Sequence, residues 1–210
     1  MGRHRGKPKA TGLVFKPHPG QQQKYFQSTA DIILAGGGAG GGKTMSLLID
    51  AVIGTEYPDY SAALFRKQLQ QHKMGGGLRQ ESMKYYHKLG GEFNRAELMW
   101  EFPSGANVKM YGCDDPSKYD GLQCEFLGID QLEQLGADEF WHLRSRVRSA
   151  SGRKCRVRAT ANPEPGWLER MLKDGGYVDE KTGLPIDEMD GVVRWFVRDP
   201  KTDKLVWCDN

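Results

Sequence analysis

The first thirty residues contain no aspartate or glutamate, although Arg3, Arg5, Lys7, Lys9, Lys16 and Lys24 all fall there. A second stretch without acid, residues 144–158, carries Arg144, Arg146, Arg148, Arg153, Lys154, Arg156 and Arg158. These thirteen positive charges belong to a chain whose formal net charge is +3, so the remainder sums to −10. Segregated charge of this kind points to an anionic partner such as nucleic acid. No run of 18 apolar residues exists, which excludes a membrane-spanning helix and predicts no membrane partner. The N-terminus lacks the apolar stretch of a secretory signal. Cysteine is scarce. Cys113, Cys124, Cys155 and Cys208 form no CxxC pair and no metal-ligand spacing, and are expected as reduced thiols of an intracellular protein. There is no internal repeat, and the absence of a G-X-Y period excludes collagen.

Glycine is in excess, at 27 of 210 residues against a usual ~7%. The glycines cluster rather than spread as a linker would, with six between Gly36 and Gly42 and three at Gly75–Gly77. The length suits one domain of ordinary size or one with a small appendage. Residues 1–18 read as a basic, irregular arm containing Pro8 and Pro17. Buried strands are expected at 31–35, 61–65, 126–129 and 155–160, each a short apolar or β-branched run. Helices are expected at 43–53, 78–89, 138–149 and 167–172, and hairpins at 98–111 and 192–207. Strands alternating with helices predict an α/β fold with a mostly parallel sheet.

Gly37–Gly38–Ala39–Gly40–Gly41–Gly42–Lys43–Thr44 matches G-x-x-x-x-G-K-[ST] at every constrained position. Glycines reach backbone angles closed to other residues, so successive N–H groups can converge on phosphate oxygens. Lys43 would face the β- and γ-phosphates, the Thr44 hydroxyl would ligate Mg²⁺, and the helix that follows adds its positive end. A predicted strand precedes the motif and a predicted helix follows it, as a P-loop requires. Asp130 closes an apolar strand, where a carboxylate that holds the metal belongs. Its neighbour is Gln131, which can orient water but cannot take its proton; Glu133 lies two residues further on. No Asn-Lys-x-Asp guanine reader is present, which argues against a GTPase.

These residues, with others in order, resemble the ATPase domain of the large terminase subunit, the DNA-packaging motor of tailed bacteriophages. Pro19–Gly20–Gln21–Gln22 with Tyr25 is similar to the family's adenine-contacting Q motif, which implies Gln22 as the reader, with Gln23 as the alternative. Ala63 to Lys67 resembles the second strand and its basic exit, and Phe126 to Gln131 resembles Walker B. Arg144 to Ser149 is similar to an arginine-rich helix end, and Thr160–Ala161–Asn162–Pro163 with Gly166–Trp167 to the coupling motif. The resemblance implies a RecA/ASCE-like P-loop core over 19–165 with a small lid over 166–210, and no nuclease domain in this chain. It implies ATP and Mg²⁺, double-stranded DNA, a portal protein, a small terminase subunit, a homo-oligomeric ring, and action at the procapsid in the host cytoplasm.

Two departures stand out. The family has Asp-Glu where this chain has Asp130–Gln131, so either Glu133 substitutes as base or the chain is deficient in hydrolysis; deficiency is the expectation. The loop at 117–121 has no arginine where some relatives carry a trans-acting one, which leaves Arg66, Arg144, Arg146 and Arg148 as candidate fingers. Another nucleic-acid-dependent P-loop ATPase, of helicase or recombinase type, and a nucleotide-gated assembly module that never hydrolyses are the alternatives.

Overall fold

The computed structural model describes residues 14–38, 40–162, 164–202 and 204–208. Most of the basic arm (1–13), together with Ala39 and Pro163, therefore lies outside the described residues. The chain runs α1 (Gln21–Gln27), β1 (Ile32–Ala35), α2 (Lys43–Ala51), β2 (Ser61–Arg66), α3 (Leu78–Met83), β3 (Glu92–Asn94), β4 (Met99–Glu101) and β5 (Asn107–Gly112). It continues through β6 (Phe126–Ile129), α4 (Ala137–Arg144), β7 (Arg156–Thr160), α5 (Trp167–Asp174), β8 (Trp195–Arg198) and β9 (Leu205–Cys208), with short 3₁₀ turns between.

Seven strands form one sheet in the order β1-β7-β6-β2-β5-β4-β3. The first five are parallel, and β4 and β3 add an antiparallel edge. β8 and β9 make a separate antiparallel hairpin. The mostly parallel α/β architecture is as the alternation of elements predicts.

Strand periodicity divides the core in two. Along β2, Ala62 and Leu64 face one apolar layer, with Leu47, Leu48 and Ala51 of α2, while Ala63 and Phe65 face the other, with Phe140 and Leu143 of α4 and Leu168 of α5. Along β7 the residues opposite Val157 and Ala159 are Arg156, Arg158 and Thr160, which lie toward α2. Trp167 fastens α5 to this body by donating its indole N–H to Leu135 O at 2.6 Å.

Two expectations are corrected. The helix expected over 78–89 is α3 followed by a 3₁₀ turn at Tyr86–Leu89, because Tyr86 turns into the core and donates its hydroxyl to Leu48 O at 2.7 Å. The helix expected to reach 149 stops at Arg144, where the Ser145 hydroxyl donates back to His142 O at 2.7 Å and Val147 instead bridges Cys124. α1 buries Gln22 and Tyr25, three residues apart, on one face. No helix among the described residues is long and apolar enough to cross a membrane.

Candidate functional site

Register alone assembles the centre of the site. Phe65 pairs with Ile129 and Ile129 with Ala159, so the next residues, Arg66, Asp130 and Thr160, form a row across the carboxyl ends of β2, β6 and β7. Thr160 pairs in turn with Ala35, the last residue before the glycine loop. Carboxyl ends of parallel strands are where open α/β sheets bind ligands.

The loop from Gly36 to Gly42 joins β1 to α2. Gly37, Gly40 and Gly42 have φ of +105°, +85° and +72°, a region that side chains with a Cβ rarely enter. Gly42 is restricted twice over, because a Cβ there would fall 2.4 Å from Gln22 Nε2. Gln22 is buried with both ends of its amide engaged: Nε2 donates to Gly42 O at 3.3 Å, and Oε1 accepts from His18 N at 3.0 Å. The residue expected to read adenine thus clips α1 to the glycine loop. Gln23 is exposed on the same helix.

Lys43, the first residue of α2, points back over the loop. Its ammonium donates to Gly37 O, to Gly38 O at 3.1 Å and to Asn162 Oδ1 at 3.2 Å. Asn162 extends the chain of contacts by donating from Nδ2 to Glu133 Oε1 at 3.0 Å. Asp130 is buried beside it and fully engaged. Its Oδ1 accepts from Thr160 Oγ1 at 2.6 Å and Thr44 Oγ1 at 3.4 Å, and its Oδ2 from Arg66 Nε at 2.9 Å and Nη2 at 2.5 Å. Thr160 Oγ1 also accepts from Gln131 N at 3.1 Å. Ala161 continues the β1–β7 ladder by donating to Ala35 O at 3.1 Å. The glycine loop, the aspartate and the expected coupling segment thus meet around one point.

The oxygen donors fit a hard divalent cation. Thr44 and Asp130 offer a hydroxyl and a carboxylate oxygen 3.4 Å apart, and no group of three His, Cys, Asp or Glu forms a cage among the described residues. An ion there would draw its remaining ligands from phosphates and water, as Mg²⁺ does.

No protein-family model matches this sequence, and no curated protein matches it. Solved structures do. The large terminase ATPase domain of Thermus phage P74-26 superposes over 85% of this chain and 76% of its own, with a TM-score of 0.56 at 14% identity. The large terminase of a thermophilic bacteriophage matches over 76% of this chain and 42% of its own, with a TM-score of 0.58 at 12% identity. That of bacteriophage HK97 matches over 81% of this chain and 41% of its own, with a TM-score of 0.57 at 11% identity. The fold is that of a large terminase ATPase domain. This chain spans about two fifths of the latter two proteins. The terminase of the thermophilic phage has been captured with ATP-γ-S and with ADP.

Within this terminase fold the arginines divide. Arg66 is 11% exposed at its side chain and paired with Asp130 in the same molecule. Its Nη1 donates to Gln71 O at 2.9 Å, and Gln71 Nε2 donates to Gln134 Oε1 at 2.8 Å, which braces the turn that carries Glu133. Nothing in the sequence signals this brace, because glutamines at 71 and 134 are unremarkable alone. Arg144, Arg146 and Arg148 lie toward the opposite, amino-terminal end of the strands, since Val147 bridges Cys124 two residues before β6 begins. Arg144 and Arg148 are exposed and make no ion pair among the described residues, while Arg146 donates to Asp120 O at 2.8 Å.

The rest of the basic cluster is neutralised. Arg153 pairs with Glu125 and Asp59, Lys154 with Asp31, and both Arg156 and Arg158 with Asp50. Four of the seven cations of 144–158 therefore serve the fold. The cations of this stretch without a carboxylate partner among the described residues are Arg144, Arg146 and Arg148.

Proposed function

We propose that this chain is an ATP-hydrolysing motor domain that drives double-stranded DNA into a viral procapsid. The observation that carries the reading is the contact chain Lys43–Asn162–Glu133 beside Asp130, on a large terminase ATPase fold. ATP would lie on Gly37 to Thr44, with Ala39 in the same loop and the base near Gln22. Lys43 would exchange its carbonyl partners for the β- and γ-phosphates. Thr44 and Asp130 would hold Mg²⁺, which neutralises charge on the phosphate oxygens. Arg66 fixes the Asp130 carboxylate in direction through its Nε and Nη2.

Asn162 touches Lys43 in this state, so a γ-phosphate arriving at Lys43 competes for that contact. Thr160 to Asn162 would thereby pass the nucleotide state to α5 and the segment beyond it, the lid. Arg144, Arg146 and Arg148 would contact DNA phosphates, which suits a strand that slides rather than one that is read. One of them reaching a neighbour's nucleotide would serve as the finger in a homo-oligomeric ring. A portal protein and a small terminase subunit would be its partners, in the host cytoplasm.

The test is ATP binding and turnover, each with and without double-stranded DNA, for the wild type and Lys43→Ala. The wild type should bind ATP and turn it over faster with DNA, and Lys43→Ala should lose at least tenfold in affinity. Equal affinity in the two proteins would sink the reading. DNA-stimulated turnover accompanied by strand separation would favour a helicase instead. Binding without turnover, unrestored by Gln131→Glu, would favour a nucleotide-gated assembly module.

A further inference from the structure

Water attack on a γ-phosphate needs a group that can accept a proton, and the residue after Asp130 is an amide. The backbone there is also unusual. Gln131 sits at φ 64°, ψ 56°, a left-handed conformation that costs a residue with a Cβ about 1–2 kcal/mol. Its N–H is fixed on Thr160 Oγ1. The effect of this conformation is a sharp reversal directly after β6, followed by one 3₁₀ turn over Leu132–Gln134. Leu132 and Leu135 are buried in the core and anchor the turn from beneath. Gln134 is held by Gln71 from the side.

Glu133 is thereby aimed back at the end of β7. Its Oε1 accepts from Asn162 Nδ2 at 3.0 Å, and Asn162 Oδ1 accepts from Lys43 Nζ at 3.2 Å. One amide thus separates the carboxylate from the ammonium that meets the phosphates. The other oxygen, Oε2, is buried and has no hydrogen-bond partner. One oxygen is thus held in place while the other is left open to a proton donor such as water.

We infer that Glu133, not the residue beside Asp130, is the general base of this site; the inference rests on the ATPase reading above. In the step, a water oxygen bonds to the γ-phosphorus as the bond from phosphorus to the β,γ-bridging oxygen breaks. ADP leaves with that electron pair. The water proton passes to Glu133 Oε2, and Glu133 later returns it to solvent or to the phosphate released. Asn162 orients the carboxylate and at the same time contacts Lys43, so the base is positioned by the residue that would report hydrolysis. On this inference the chain is not deficient in hydrolysis but carries its catalytic carboxylate two residues further along.

Glutamine at 133 keeps an oxygen for Asn162 to donate to but cannot take the proton, so Glu133→Gln separates base from brace. ATP turnover and ATP-γ-S affinity are measured side by side for the wild type, Glu133→Gln and Glu133→Ala, with DNA present. The wild type should turn over ATP. Glu133→Gln should lose ~10²–10⁴-fold in kcat with ATP-γ-S affinity unchanged, which also shows the variant folded. Glu133→Gln with near wild-type kcat and Glu133→Ala without it would reduce Glu133 to a positioning residue and overturn the inference. A wild type that binds ATP but turns it over only after Gln131→Glu would also overturn it. No ATP-γ-S binding by the wild type would instead defeat the ATPase reading, and this inference with it.

Discussion

Asp50 shows how much one carboxylate can hold in place. It is 3% exposed near the end of α2, and takes Arg156 on Oδ1 and Arg158 Nε on Oδ2 at 2.8 Å. Arg158 is equally buried, with the carbonyls of Ala30, Asp31 and Val157 as its other partners. Asp50→Ala would leave a buried guanidinium without an anion, and breaking a buried pair from one side costs about 3–5 kcal/mol. Urea denaturation should show a loss of that size. A loss below about 1 kcal/mol would mean that water enters and the pair is not structural. The same arithmetic explains Arg66: with Asp130 on its Nε and Nη2, it is committed within its own chain and poorly placed to reach a neighbour.

At the scale of elements, the contact of α2 with β6 decides how the glycine loop is held. Gly128, in the middle of β6, faces α2; a Cβ there would lie 2.6 Å from Leu64 Cδ2 and 3.1 Å from Leu47 Cδ1. Leu47 is one turn into α2 from Lys43. Gly128→Ala should therefore cost about 1–3 kcal/mol by overpacking and weaken ATP binding severalfold by pushing the helix outward. Denaturation and calorimetric titration read the two effects separately. Lower stability with unchanged affinity would show that Leu64 absorbs the strain and the cradle stays put. The hairpin of β8 and β9 is the opposite case. Phe196 and Trp207 pack inward, with Phe196 on the Trp141 ring of α4, while Trp195 and Val197 face outward.

The whole molecule carries a pH dependence set by one buried imidazole. His72 is fully buried, and burial lowers its pKa from 6.5 to about 4, with Arg66 adding to the fall against the opposing Tyr111 carbonyl and Asp130. Its Nε2 donates to Tyr111 O at 2.8 Å, so the neutral ring is bare at Nδ1, and Nδ1 has no partner. Between pH 6.5 and about 4 the unfolded chain binds a proton there that the folded one refuses. His72 therefore contributes stability in full above pH 6.5, and this is lost as the pH falls to about 4, by roughly 3 kcal/mol in all. Urea midpoints from about pH 7.5 to about pH 4.5 should fall for the wild type and fall less for His72→Gln. Parallel slopes in the two proteins would remove His72 as the cause.

Local pattern determined what local physics controls. A strand, a glycine loop and a helix in succession can be read from Ile32 to Ala51 because backbone freedom and apolar periodicity act over a few residues. The same holds for Asp130 at the end of an apolar strand. What meets across the sheet was not legible. Arg66 and Asp130, 64 residues apart, become partners only through the order β7-β6-β2, and Arg158 and Asp50 across 108 only because β7 lies under α2. A basic run without acids looked like a surface for anions, yet four of its seven cations meet carboxylates from elsewhere in the chain. Where the Glu133 side chain points was likewise open in the sequence. The left-handed turn at Gln131, a matter of tertiary structure, folds the chain back so that the Glu133 carboxylate meets Asn162.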